Sequence, residues 1–311
     1  MINVYRSDDA SAPVLGGTAG YLNNVLTACL VNGYGSQPAA GWTRPYTGTN
    51  LAVFRAPEGN RFFLRLNDTH AQYPVLQGYR NMTAVSTGTG MFPTSVQLSG
   101  GIRTVKAYST GTTARPWVLI ASPRSFYLWI GFNSTDIGAV STSEDMFFFG
   151  DIVSYLPGDA YSTAIIGKIV ADTSASSTLF ANALTTGAVA SGHYLASDFA
   201  QSGNPAPFAC LQSVIAASTS AGSAGSFYPD PITGGMLLER LRLVEGGTAQ
   251  KLVRGHLPGC YNPTHPVPAT HLDVLQGRGA MLGTDMLVLH TGGTEGRVVI
   301  SLNEADWYPV A

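Results

Sequence analysis

The chain is short of charge. Asp, Glu, Lys and Arg make up 12 % of its 311 residues, about half the usual share for a soluble domain. Only three of its 17 cations are lysines (Lys106, Lys168 and Lys251), and no Lys or Arg lies between Ile169 and Glu239. With a net charge of −2 and no basic run, the sequence lacks the electrostatic footprint of a nucleic-acid or anionic-membrane binder. Cysteine is scarce too. Cys29, Cys210 and Cys260 are odd in number and far apart, so they give neither a disulfide framework nor a metal spacing. No apolar run approaches the roughly 18 residues that span a bilayer. Residues 1–9 lack the basic-then-apolar pattern of a secretory signal, so synthesis in the cytoplasm without classical export is expected.

Catalytic and cofactor motifs are also missing. There is no Gly-x-Ser-x-Gly elbow, no Gly-x-x-x-x-Gly-Lys phosphate loop and no dinucleotide fingerprint. No cofactor is expected. The six histidines include one cluster in sequence, His256, His265 and His271, whose spacings match no zinc signature. Whether that region holds an ion stays open, with a loop-packing role favoured by the flanking prolines. Glu144, Asp145, Asp151 and Asp159 are near enough in sequence to suggest paired carboxylates or a calcium site. The EF-hand pattern is absent, however, and an Asp at a strand edge or Pro-Gly turn commonly caps backbone amides. Cys29, placed on an apolar helix face, reads as core rather than nucleophile.

What the chain does have is apolar residues, 45 % of the total, enough to bury a large core. Leu22, Val25, Leu26, Cys29 and Leu30 fall at i, i+3, i+4, i+7 and i+8, the spacing of one helix face, with Thr18 as N-cap and Asn32-Gly33 as stop. Apolar and β-branched runs then predict strands at 51–54, 61–66, 75–79 and 102–108, with a brief helix and loop over 81–90. Residues 1–5 read as a short strand or an arm reaching onto a neighbour. The densest β signal lies between 115 and 169, with runs at 117–121, 126–132, 146–150 and 164–170 and a hairpin turn at Pro123-Arg124. Later strands are predicted at 237–244, 252–257, 286–290 and 297–302, with a turn over 256–259. The fold class expected is β-rich α+β: an N-terminal amphipathic helix packed on a mostly antiparallel sheet, followed by a smaller β region. The domains expected are an N-terminal α+β domain over 1–170, a low-charge Ala/Ser/Thr/Gly-rich connection over 171–230 and a C-terminal β region over 231–311.

Several short runs, taken in order, carry a resemblance. They begin with Ala28-Cys-Leu-Val-Asn-Gly-Tyr-Gly-Ser36, Pro38-Ala-Ala-Gly-Trp-Thr43, Gly48-Thr-Asn50 and Val53-Phe-Arg55. They continue through Gly90-Met-Phe-Pro93, Ala114-Arg-Pro-Trp117, Phe126-Tyr127, Phe149-Gly-Asp151, Pro157-Gly-Asp159 and Gly192-His-Tyr-Leu195. Tyr228-Pro-Asp-Pro231, Gly234-Gly235, Arg254-Gly-His-Leu-Pro-Gly259 and Pro263-Thr-His265 complete the set. In this order they resemble a family of structural, virion or tail-region proteins of tailed bacteriophages and prophages. The resemblance implies a non-enzymatic part of a phage particle and transfers no catalytic residue.

On that reading the chain is a virion protein, with the tail tip or baseplate as its expected place. Its partners would be copies of itself and other phage virion proteins, with no nucleic acid and no membrane insertion. The composition agrees, because a charge-poor surface suits permanent burial against neighbours better than free solution. Two alternatives stand beside it: a head-decoration protein that stabilises the capsid, and a host-receptor or carbohydrate-binding virion protein. Tyr34, Trp42, Arg44 and Trp117 are the interface or core anchors singled out, with core favoured for the tryptophans.

Overall fold

A computed structural model of the chain describes residues 1–139, 143–169, 192–211, 229–245, 252–263, 269–277, 279–290 and 297–308. The stretch with the densest apolar signal forms its middle. Strands Trp117–Ala121, Ser125–Ile130 and Asp145–Asp151 pair as an antiparallel meander in which every residue is buried. Side chains alternate faces along a strand. Trp117, Leu119, Phe126, Leu128, Phe147 and Phe149 therefore enter one core, while Val118, Ile120, Tyr127, Trp129, Met146 and Phe148 enter another. A sheet covered on both faces needs no polar positions, which accounts for the unbroken apolar runs.

The first core is closed by a short helical segment and by a second antiparallel sheet. Tyr21–Thr27 is α-helical and Ala28–Asn32 continues it as a π-helical turn. Leu22, Val25, Leu26, Cys29 and Leu30 are all fully buried in it. Thr18 is not the cap. Its hydroxyl donates to the Gly111 carbonyl, and Gly20 holds the N-cap position at φ 85° with no side-chain bond. The Asp68 carboxylate, brought in from the second sheet, accepts from the Asn23 amide at 3.0 Å instead. That sheet runs Lys168–Ile169, Ile102–Arg103, Val75–Ala84, Phe63–Asn67, Leu51–Arg55, Thr43–Gly48, with Thr87–Phe92 paired to Val75–Ala84.

The second core is closed by Leu238–Glu245, Leu252–Pro263, Arg297–Ser301 and Asp285–His290, with Val274–Gln276 at the edge. These strands form no separate smaller sheet. Thirteen described strands share one ladder, running from Asn3–Arg6 through the middle meander to Thr163–Ile166, His193–Leu195 and Ala206–Leu211, and on into the C-terminal strands. Part of it closes on itself. Val153–Ser154, separated from Asp145–Asp151 by Ile152 alone, pairs back onto Gly255 and His256. The molecule is thus β-rich and antiparallel, with a short helical segment beside the first core and a four-residue helix, Glu304–Trp307, beside the second.

Three local expectations change. Residues 81–90 form a hairpin rather than a helix, because Thr87, Thr89 and Met91 alternate on a strand and Met82 packs against Val53 and Phe63. Residues 104–107 leave the ladder after Ile102–Arg103 and spend their backbone amides on Asp145, Gln72 and Pro74. The turn expected at 256–259 is an irregularity inside Leu252–Pro263: Arg240 opposes Tyr261 and Arg242 opposes His256, so the strand bulges between them. Gly259, at φ 62°, permits this, since a Cβ there would lie 2.3 Å from the Trp307 ring. The N-terminal strand pairs within its own chain, Val4 opposite Ile120.

Candidate functional site

Both tryptophans singled out from sequence lie in the first core. The Trp42 indole donates to the Ser122 carbonyl at 3.0 Å and stands edge-on to Phe126. The Trp117 indole donates to the Pro13 carbonyl at 3.1 Å. Neither can anchor an outside partner. Tyr34 is half-buried; its hydroxyl donates to Asp9 at 2.8 Å, and burial raises its pKa. Arg44 is exposed and donates to the Thr27 hydroxyl at 2.8 Å.

His256 and His271 have separate surroundings, and His265 lies outside the described residues. Arg240 donates to Nε2 of His256 at 2.8 Å and the Tyr155 hydroxyl lies 2.9 Å from its Nδ1, an arrangement for a neutral ring. Burial, helped by Arg240 and Arg242, pushes its pKa down to about 4. His271 lies against Trp129, ring centroids 4.2 Å apart, and its Nδ1 accepts from the His290 amide. Burial and then His290 hold it at about 4 as well. His290 in turn contacts Glu144, both buried. Among the described residues no three His, Cys, Asp or Glu side chains converge so as to hold a metal ion.

The acidic residues are taken up by the fold. Asp145 accepts from the Thr104 hydroxyl, the Val105 amide and its neighbour Met146. Asp151 accepts from the Asn60 amide and the Thr163 hydroxyl, tying the two sheets. Asp159 takes both arms of Arg254 at 2.9 Å, and the third guanidinium nitrogen reaches Glu245 at 2.7 Å. This triad pins the strands that close the ring. A second buried pair, Lys106 with Asp68, is completed by the Thr18 carbonyl at 2.7 Å. Burial pulls Lys106 down and Asp68 up, and their contact with each other opposes both shifts.

One surface escaped the sequence reading. On the second sheet Leu64 and Leu66 face the core, so Phe63 and Arg65 face outward, and Arg55 opposes Phe63 on the next strand. The Arg55 guanidinium lies 4.8 Å above the Phe63 ring and donates to the Arg61 carbonyl. Arg65 donates to Val85 and Gln77, with Tyr46 and Tyr79 beside it. Arg55, Arg61 and Arg65 form no ion pair with any described carboxylate, and Arg61 adds to burial in pushing the Arg55 pKa down. Period-two alternation with every charge of one sign is the signal that marks this face.

Among the described residues no helix is long and apolar enough to cross a membrane. No family model matches the chain, and no curated protein matches it.

Proposed function

We propose that this chain is a non-enzymatic structural component of a tailed-phage virion, placed at the tail tip or baseplate and acting through protein–protein interfaces. One observation carries the assembly half of this reading. Eleven of the 36 charged residues are buried among the described residues, so a charge-poor sequence presents a surface poorer still. Charged side chains are rarely buried, and a free surface normally relies on them for solubility. A surface so depleted fits a protein that spends its life against neighbours. The virion half rests on the ordered resemblance of short runs along the chain. In the finer reading of the fold, the segment Tyr21–Asn32 serves as the helical cover of an α+β domain. The described acids and histidines weighed as catalytic are spent on internal contacts, in keeping with a structural role.

The test is quantitative mass spectrometry of purified particles from the phage or prophage that encodes the chain. A few to some tens of copies per particle are expected of a tail-tip protein. Hundreds of copies would move it to the head surface as a decoration protein. Absence from all particles would overturn the reading.

A further inference from the structure

Near-neutrality of the whole chain conceals a division. Residues 1–139 carry ten Lys/Arg against five Asp/Glu, and residues 140–311 carry seven against fourteen. Eleven of these charges are buried and four lie outside the described residues. Among the rest, two groups of opposite sign fall in different layers, because the second sheet lies over the first core and the C-terminal strands over the second. The outward face of the second sheet bears half-buried Arg55 and Arg65 among Tyr46 and Tyr79, with Phe63 buried beneath the Arg55 guanidinium, and exposed Arg61 precedes strand Phe63–Asn67. The acids nearest in sequence do not neutralise it: Glu58 pairs with Arg124, and Asp68 is buried on Lys106.

One edge of the far layer has the reverse sign, while Arg240 and Arg242 stand elsewhere in that layer. Its outermost strand, Val274–Gln276, is bracketed by Asp273 and Asp285, both exposed. Glu304 and Asp306 stand on the adjoining four-residue helix. Asp273 accepts from the Thr270 amide, Asp285 from Gln276 and Asp306 from the Ser301 hydroxyl, all neutral donors close in sequence, whereas Glu304 forms an ion pair with the Met1 amine from the other end of the chain. Between 269 and 308 the sequence has two cations: Arg297, and Arg278, which lies outside the described residues. Beside the acids Val274 and Leu282 are exposed at 49 % and 81 %.

We propose that copies of this chain associate head to tail, the arginine–aromatic face of the second sheet seating on the acidic Val274–Gln276 edge of the next copy. The two patches lie in opposite layers of one molecule, so they meet only between molecules. A contact of two unlike patches is heterologous, and repeating it gives a closed ring or an open stack. Arg, Tyr and Phe are the side chains enriched at such contacts, guanidinium pairs with carboxylate through two parallel bonds, and opposed potentials fix the register. The exposed Val274 and Leu282 supply the apolar part that charge alone would not. The proposal rests on the assembly reading above and names its partner and its surfaces.

The test uses the full chain in sedimentation velocity over a range of concentration and salt. Wild type is expected to form concentration-dependent oligomers at about 50 mM salt and to dissociate towards 500 mM, as roughly a 10 Å screening length contracts. Reversing the basic face (R55E with R65E) or the acidic edge (D273K with D285K) is expected to weaken self-association about ten-fold or more. Mixing the two reversed proteins is expected to restore it, because each then offers the sign the other has lost. R61E, at an exposed side chain with no ion pair among the described residues, repeats the first arm should the double variant fail to fold.

Oligomers unaffected by either reversal would overturn the proposal and leave the particle-copy test of the virion reading untouched. A wild type that stays monomeric at every concentration would overturn it too. So would a monomer that binds single-stranded DNA or heparin through Arg55 and Arg65, since the face would then serve a polyanion.

Discussion

At the first core, one lysine and one aspartate are buried together; where the C-terminal strands close the ring, one arginine is buried between two carboxylates. The surfaces above them also differ: arginines stand on the second sheet over the first core, and exposed Asp273 and Asp285 mark the outermost edge over the second. Lys106 gathers the start of the helix, the end of a strand of the second sheet and the 104–107 segment at one point. Arg254 joins strand Leu252–Pro263 to Glu245, Asp159 and the Ser197 carbonyl. Each layer is thus pinned by a buried cation, and the layers differ in what charge is left over. Internal pairing takes up Asp68 and Glu58 and leaves Arg55, Arg61 and Arg65 without a described carboxylate, while Asp273 and Asp285 at the far edge keep only neutral donors, and those charges are what a neighbour would meet.

Removing a pin should have the largest effect. Arg254→Met strands two buried carboxylates and Lys106→Met strands one, so urea unfolding should show losses of about 3–5 kcal/mol, the arginine change costing more. Equal and negligible losses would show that the layers are held by packing alone.

Acid should separate the layers next. His193, His256 and His271 belong to the C-terminal side, and burial depresses each to about 4 from an ordinary 6.5. The unfolded chain takes up protons as pH falls through 6.5, whereas the folded chain does so only near 4. Their contribution is therefore complete above pH 6.5 and lost progressively between there and 4, each pH unit per histidine amounting to about 1.4 kcal/mol. Hydrogen-exchange protection, corrected for intrinsic rates, should fall first in Leu238–Glu245 and Leu252–Pro263 and later in Leu51–Arg55 and Phe63–Asn67. The reverse order would contradict this distribution.

Surface changes should matter least. Glu58→Gln removes an ion pair whose two side chains are 56 % and 41 % exposed, and its effect on unfolding should stay within about 0.5 kcal/mol. Thr18→Ala should cost as little, because Asp68 rather than Thr18 satisfies the helix start. A loss near 1–2 kcal/mol at Thr18 would restore it as the cap.

Much of the middle of the fold was legible. The runs at 117–121, 126–132 and 146–150 stand out because a strand buried on both faces is apolar along most of its length, with Ser125, Asp145 and Asp151 only at the strand ends. The helical spacing of Leu22 to Leu30 was equally plain. What escaped depended on distant residues. Nothing near Gly20 announces that its helix borrows a carboxylate 48 positions away, and Met82 with Val85 matches a helix until Thr87–Phe92 is seen to pair with its strand. The ring closure rests on Val153–Ser154 meeting His256, a contact across a hundred residues that no local pattern encodes. For the candidate surface, the division of charge was present in the residue counts, but only the sheet register places Arg55, Phe63 and Arg65 on one outward face.

A side-chain-resolution map of intact particles with this chain located tests the assembly account most directly. The expected result is a ring of few copies at the tail's end, with Arg55 and Arg65 of one copy against Asp273 and Asp285 of the next. Particles lacking the chain, or copies scattered over the head lattice with those faces apart, would contradict it.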